Sequence, residues 1–385
     1  MKLSLQLAYK NLIGAGLRTW LNVAVLSFAF VIIIFFNGLM DGWNQQAKQD
    51  TVAWEYGSGQ LLNNDYDPFN PFSLQDSHAE FPSEIKTGLT PILIQQGTIY
   101  PEGRMVAVLL KGIRPDQKIL KIPTEAFKNS TAKIPAVIGK RMAESAKLKI
   151  GDEVLLRWRD KNGTFDASNI TIIDVFDTTV ATVDAGQIWM PIGILWDMTG
   201  LQNHATTAIA DSNYKNIPIE GWKFESQEEM LQNLDDIISM KKYSSAILYL
   251  LLLAIALLAI FDTQVLSIFR RQKEIGTYIA LGMTRLQVVK LFTVEGSMYS
   301  FLAMVVGSVY GIPLFIYLNK TGIGMPQATQ DMGISLAERI FPVFGIQLIF
   351  GTILLVTISA TIVSYLPAKK IAKMDPVAAL KGKLQ

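Results

Sequence analysis

The chain has 385 residues, half of them hydrophobic, no cysteine, and a formal net charge of +2 from 35 basic and 33 acidic residues. Without a thiol there is no disulfide framework and no cysteine-based zinc site, and a near-balanced charge offers no basic field for nucleic acid. The apolar residues are gathered into blocks, which predicts a multi-pass membrane protein.

Residues 1–19 set Leu3, Leu5, Leu7, Ala8, Leu12 and Ile13 among Lys2, Lys10 and Arg18. That pattern suits an amphipathic helix lying along the inner leaflet, with a frayed terminus as the alternative. Crossing about 30 Å of hydrocarbon takes roughly 20 helical residues, and four segments qualify: 20–40, 244–269, 291–318 and 343–366. The first follows a basic stretch, as a signal peptide would, but its length and the lack of an Ala-x-Ala-like site read as a retained anchor. Asn22, Ser27, Asn37 and Gly38 place polar or small groups on it. Close helix packing accounts for them, and a substrate groove is the competing reading.

Residues 41–243 are polar and long enough to bury their own core. Within them 63–72 is dense in turn formers, while 92–100, 105–112, 134–138, 152–158, 164–175, 187–191 and 206–210 read as strands. Asn162-Gly163 between two of these is a hairpin signal. Short helices are expected over 140–147 and 192–199, so the fold class is α+β for this domain and four transmembrane α-helices for the rest. A helix over 225–242 puts Met230, Leu234, Ile237 and Ile238 on one face and runs without Gly or Pro into the second span.

The second span ends in Arg270, Arg271 and Lys273. A short amphipathic helix follows, Gly282 stops it, and Thr284 and Gln287 have the spacing of a capping box for a restart. Residues 270–290 therefore predict a docking element on the membrane surface, followed by the third span, a short 319–342 loop, the fourth span and a basic tail over 367–385. Lys and Arg cluster in 1–19, 270–290 and 367–385, whereas 41–243 holds 27 acidic and 20 basic residues. The expectation is both termini cytoplasmic and the large domain outside.

Asp262 stands eight residues before Arg270 within the second span, where a charge costs about 2.5–3.5 kcal/mol on insertion scales. It is expected at a subunit interface, in a wet cavity or within reach of interfacial water, as a packing contact before a gating group. There is no Gly-x-x-x-x-Gly-Lys-Ser/Thr stretch, so the chain binds no nucleotide by that route. His78 and His204 are far apart in sequence and neither has metal-ligand spacing, so no metal site is expected.

The run Arg270, Arg271, Gln272, Lys273, Glu274, Ile275, Gly276, then Ala280, Leu281, Gly282 and Glu295, resembles a block of the FtsX-like ABC transporter permeases. Leu366 to Lys369 with Asp375 and Pro376 is similar to the exit of their last helix. Ile138 to Ala143, Lys149 to Val154 and the stretch from Asp184 to Pro191 look like the outer domain of the LolC/LolE lipoprotein-releasing branch. The resemblance implies a permease working as a homo- or heterodimer with two copies of an ABC ATPase, which would carry ATP and Mg, while this chain binds no cofactor and is not itself an enzyme. It implies that Arg270, Arg271, Glu274, Ile275, Gly276, Leu281, Gly282 and Met283 dock on that ATPase, with apolar side chains filling its pocket, Gly276 allowing close approach and Glu274 giving a charge contact. Asp262 departs from the family, which often has Asn there. Asn22 and Asn37 are the other intramembrane candidates. The implied function is release or export of a lipoprotein or other amphiphile at the outer face of a bacterial inner membrane, with a periplasmic carrier or adaptor as a further partner. The alternatives are a MacB-like exporter of peptides or small molecules, an FtsX-like regulator of a periplasmic enzyme, and a scaffold or receptor without an ATPase.

Overall fold

The computed structural model describes residues 17–67, 70, 76–82, 88–324 and 339–373. The helix expected over 1–19 lies almost wholly outside them, as do the end of the basic tail and parts of the 63–72 and 319–342 loops. In chain order the helices are α1 (Leu17–Thr51), α2 (Lys140–Ala146), α3 (Ala181–Asp184), α4 (Ile192–Thr199), α5 (Gln227–Arg270), α6 (Gln272–Ala280), α7 (Arg285–Thr321) and α8 (Ile346–Ala368). The strands are β1 (Gly59–Asn63), β2 (Ala79–Glu80), β3 (Leu89–Ile99), β4 (Val106–Ile113), β5 (Pro135–Gly139), β6 (Glu153–Arg159), β7 (Phe165–Phe176), β8 (Gln187–Pro191), β9 (His204–Ala205), β10 (Thr207–Ala210), β11 (Trp222–Ser226), β12 (Ile323–Gly324) and β13 (Arg339–Ile340). The chain divides into a helical unit (Met1–Trp43, Ile238–Ile323, Ile340–Gln385) and a second unit (Asn44–Ile237, Gly324–Arg339).

In the helical unit, α1, α5, α7 and α8 are each long and apolar enough to cross a membrane. Their core joins Val23, Leu26, Phe30, Ile33 and Ile34 of α1 to Leu253, Ala256 and Ile260 of α5, Tyr299 and Ala303 of α7, and Val356 and Ala360 of α8. More than half of the apolar window of α1 is buried, against 17% for each of the others, so α1 is the central helix. Such burial demands small residues where backbones meet. A Cβ on Gly42 would lie 2.0 Å from the Phe341 carbonyl oxygen, and one on Gly38 would lie 2.5 Å from the Phe344 ring. Both glycines thus permit packing of the segment before α8 onto α1.

The second unit is built on nine strands in the order β11-β1-β10-β3-β4-β8-β5-β7-β6, with β3 also pairing β6. That extra pairing closes β3, β4, β8, β5, β7 and β6 into a barrel. Pairs β4–β8 and β5–β7 are parallel and the others antiparallel. Gly97 lies at the closure, opposite both Val108 and Trp158, where a Cβ would crowd Leu110 and Leu156 at 3.1 Å. The interior is filled by Leu93, Ile99, Leu110, Ile138, Leu156, Ile172 and Ile188. β6 alternates exposed and buried along its length, as a strand with one solvated face must.

One polar contact locks the join of β5 and α2. Asp184, at 1% exposure, accepts from the Arg141 amide at 3.0 Å and pairs with the Arg141 guanidinium at 3.3 Å. Burial pushes the Asp184 carboxyl above its usual range, with the Arg141 amide and charge opposing that shift. Gly139 is required beside it, since a Cβ there would fall 2.6 Å from the Asp184 backbone. Asp184→Ala is expected to destabilise the protein by about 1–3 kcal/mol, the cost of a buried donor left unmade, and Asp184→Asn by less because an oxygen still faces the amide. Thermal unfolding followed by tryptophan fluorescence of the purified chain checks both.

A candidate docking element between α5 and α7

The chain reverses between α5 and α7 through two local devices. At Arg271 the backbone leaves helical geometry (φ −102°, ψ 21°), which ends α5 and lets α6 start at Gln272 in a new direction. At the other end of α6, Met283 N–H donates to the Tyr278 carbonyl and Gly282 N–H to that of Ile279, both at 3.0 Å. Gly282 sits at φ +95°, so this is a Schellman ending, with glycine supplying the left-handed residue. The next helix begins at once. Thr284 Oγ1 accepts from the Gln287 amide, and Gln287 Oε1 accepts from the Thr284 amide at 2.8 Å, closing the capping box.

Arg271 ties these pieces together. Its Nε donates to Glu274 of α6 at 2.7 Å, and Nη1 donates to both oxygens of Glu295 on α7 at 2.9 Å. Its guanidinium also lies 4.8 Å from the Phe292 ring centre. Beneath it, Ile275 packs with Ile268, Val288, Val289, Phe292, Ala368 and Ile371, so α5, α6, α7 and the end of α8 share one small core. Next to Glu295, Gly296 allows close contact of three helices, because a Cβ there would meet Ser364 of α8 and Gln264 of α5.

The structure separates the predicted docking residues into two sets. Ile275, fully buried, and Gly276 face the protein's own interior, so they are not available to fill another protein's pocket or admit its close approach. Glu274 is exposed but already paired with Arg271. Leu281 is 79% exposed and Leu286 63%, alongside exposed Arg270, Lys273, Gly282 and Thr277; Met283 is half-buried. Helical periodicity marks α6 as amphipathic without saying which side its own protein covers. Leu286 and the role of Glu295 escaped the sequence reading; the signal for Glu295 was a carboxylate near an apolar span, which needs a cation.

The intramembrane candidates also part company. Asn22 is buried and its amide donates to Thr263 Oγ1 of α5, a helix-to-helix contact. Asn37 donates to the Ile33 carbonyl at 2.8 Å and lines a largely apolar cavity of about 410 Å³ with Tyr249, Leu253, Gln347 and Thr352. Asp262 is exposed on α5. Its side chain lies off the helical core of its own chain.

Residues 246–376 match the family model described as FtsX-like permease C-terminal. The chain is 29% identical over 153 residues to the macrolide export ATP-binding/permease protein MacB 2 of Aeromonas hydrophila, covering 38% of this chain and 21% of that protein. It is 19% identical over 327 residues to the lipoprotein-releasing system transmembrane protein LolC of Neisseria meningitidis, covering 77% of this chain and 76% of the relative. The extracellular domain of YknZ, a noncanonic ABC-type transporter from Gram-positive bacteria, aligns with 40% of this chain and 83% of that domain at 14% identity and a TM-score of 0.26, a likeness too slight to assign a fold. The chain thus spans about a fifth of the MacB relative, and the match is to permease sequence.

Removing the cap at the restart of α7 is expected to loosen this element without unfolding the bundle. Thr284→Val should cost about 0.5–2 kcal/mol and raise amide exchange at Gln287 and Val288, measured by hydrogen–deuterium exchange of the protein in detergent.

Proposed function

Since the chain carries an FtsX-like permease domain and has LolC- and MacB-like relatives, we propose that it is the membrane subunit of an ABC transport system whose ATP hydrolysis occurs on a separate ATPase, where ATP and Mg bind. The observation that carries this reading is the α5–α6–α7 reversal, a rigidly capped and ion-paired element that presents apolar Leu281 and Leu286 among Arg270 and Lys273. Exposed leucines on an element that also exposes Arg270 and Lys273 suit a shallow apolar pocket with an acidic rim on a protein partner. What supports this element and both termini lying on the cytoplasmic side, with the second unit outside, is the clustering of Lys and Arg in 1–19, 270–290 and 367–385.

The cargo is a lipoprotein or another amphiphile, released or exported at the outer face of a bacterial inner membrane by a dimer of permease subunits. What favours this over macrolide export is the reach of the similarity. The relative named for lipoprotein release aligns with 77% of the chain, well beyond the permease domain, whereas the macrolide exporter aligns with 38%. A switch acting on an outer enzyme instead of a cargo would keep the same ATPase docking and would lack cargo-stimulated hydrolysis.

Leu281→Asp is the direct test. The variant is expected to insert and fold normally but to lose most of the ATPase that co-purifies with the unaltered chain, a drop of about tenfold or more for the loss of one central apolar anchor. Retention of the ATPase at equal stoichiometry would remove Leu281 from the interface. Absence of any ATPase from the unaltered, folded protein would defeat the transport reading.

A further inference from the structure

The chain has two histidines, and the fold brings them together from 126 positions apart: Nδ1 of His78 lies 2.9 Å from Nδ1 of His204, a hydrogen bond between the two imidazoles. The rings meet edge to face, at a centroid distance of 4.9 Å and an angle of 74°. The meeting follows from the β2–β9 ribbon, in which Glu80 is opposite His204 and Ala79 opposite Ala205, with His78 directly before β2. Backbone and indole bonds hold both residues in place. His78 N–H donates to the Asp76 carbonyl at 3.0 Å, His204 N–H donates to the Leu201 carbonyl at 3.2 Å, and the His204 carbonyl accepts from Trp196 Nε1 at 2.8 Å.

The ribbon has two residues per strand, too few to hold by ladder bonds alone, so the side-chain bond beside it counts in keeping it closed. The ribbon also shapes a cavity. Glu80, Phe81 and Asn203 form its side of a cleft of about 860 Å³, and the other walls include Arg114, Asp116 and Trp196. Phe81 N–H donates to the Asn203 carbonyl at 2.8 Å, so a backbone bond that closes the ribbon lies at the cleft itself.

A bond from Nδ1 to Nδ1 needs one nitrogen that carries a proton and one that does not. A first proton added to the pair goes to the free Nε2 of the donor ring, makes that ring an imidazolium and strengthens the bond it donates. A second proton has only the acceptor's Nδ1 to take. It removes the acceptor and sets two cations in contact. We propose that the His78–His204 bond is a pH-sensitive clasp, which holds the β2–β9 ribbon against the cleft while at most one ring is charged and releases it when both are. Around the pair stand Glu80 on β2, Asp65 before it, Asp197 on α4, bonded to Gln202 at 2.8 Å, and the mutually paired Arg114 and Asp116 of the cleft, while β3, which also lies beside β9, carries no charged side chain. Among the described residues, the charges that act on His78 are those of His204 and Asp76. Burial and the charge of His204 hold His78 below its ordinary value, against the pull of Asp76, which makes His78 the acceptor and the last to be protonated. A histidine held low in the closed ribbon and free to protonate in the open one stabilises closure fully above about pH 6.5, and that stabilisation is lost as the pH falls through the lowered value. On the topology proposed above the clasp meets the pH of the outer compartment; the clasp itself does not depend on that topology.

The test uses the full chain in detergent with its affinity tag removed and its two histidines labelled with ¹⁵N. Nuclear magnetic resonance at neutral pH is expected to show one protonated and one unprotonated Nδ1, coupled across the bond, and acidification to give two linked steps, the lower one below the ordinary value of about 6.5. Corrected for its intrinsic pH dependence, amide exchange at Phe81 should quicken about tenfold per pH unit between about 6.5 and that lower step. The Leu148 amide, which donates to the Ala143 carbonyl at 2.8 Å in the same unit, should not change. In His78→Asn the pH dependence at Phe81 should disappear and His204 should titrate in a single step, with Leu148 exchange as in the unaltered chain, which excludes misfolding as the cause. Independent titration of the two rings, a Phe81 rate that stays flat across the lower step, an equal pH dependence in the variant, or a parallel rise at Leu148 would overturn the proposal.

Discussion

Arg271 is the interaction on which the helical unit's reversal depends. A chain that leaves a helix near a membrane exposes backbone donors and acceptors, and each one must find a partner or water. Here the break is confined to one residue, and that residue's side chain repays it with three charge-assisted hydrogen bonds to Glu274 and Glu295 and a face against Phe292. Glu295 is almost fully buried, so the pair is maintained by mutual need: without Arg271 a carboxylate would be left uncompensated among apolar side chains. The consequence is a fixed angle between α5, α6 and α7. The ion pair joins α6 to α7, and the Ile275 core joins it to α5 and the end of α8.

The local devices of this region were legible in the sequence. Gly282 as a stop and Thr284 with Gln287 as a restart are short-range patterns whose geometry follows from a few consecutive residues. The strands of the second unit were legible for the same reason, since alternation and turn residues mark them one at a time. β1 and β11 were missed, because neither has a strong period and each is made a strand by the other: they pair across 159 positions from Asn63 to Trp222. The closure of β3 on β6 is likewise a property of barrel geometry, with Gly97 the one local trace of it.

Facing direction was the harder quantity at the site. The α6 sequence offers two apolar sides, Ile275 with Ile279 and Leu281 beyond, and no rule of periodicity ranks them. Packing decides: the side carrying Ile275 meets Val288, Phe292 and Ile371, which come from segments that only the fold brings near. The histidine pair shows the same limit. His78 and His204, with no shared motif and 126 positions apart, become hydrogen-bonded through their Nδ1 atoms at 2.9 Å beside the two-residue ribbon of β2 and β9.

Charge on the outer face of α5 then constrains what can surround the bundle. Asp262 lies eight residues inside the end of α5, about 12 Å at 1.5 Å per residue, and it points away from the α1 core while its neighbour Thr263 points in and binds Asn22. Ile255, Leu258 and Leu266 are exposed on the same helix, a surface that acyl chains would cover without cost. A carboxylate among them would cost about 2.5–3.5 kcal/mol if it faced lipid alone. The side of α5 that bears Asp262 is therefore a place for water or for polar groups of another subunit. That separates it physically from the uncharged stretches of α7 and α8 where Val309, Ile316, Leu354 and Ile358 are exposed and lipid suffices.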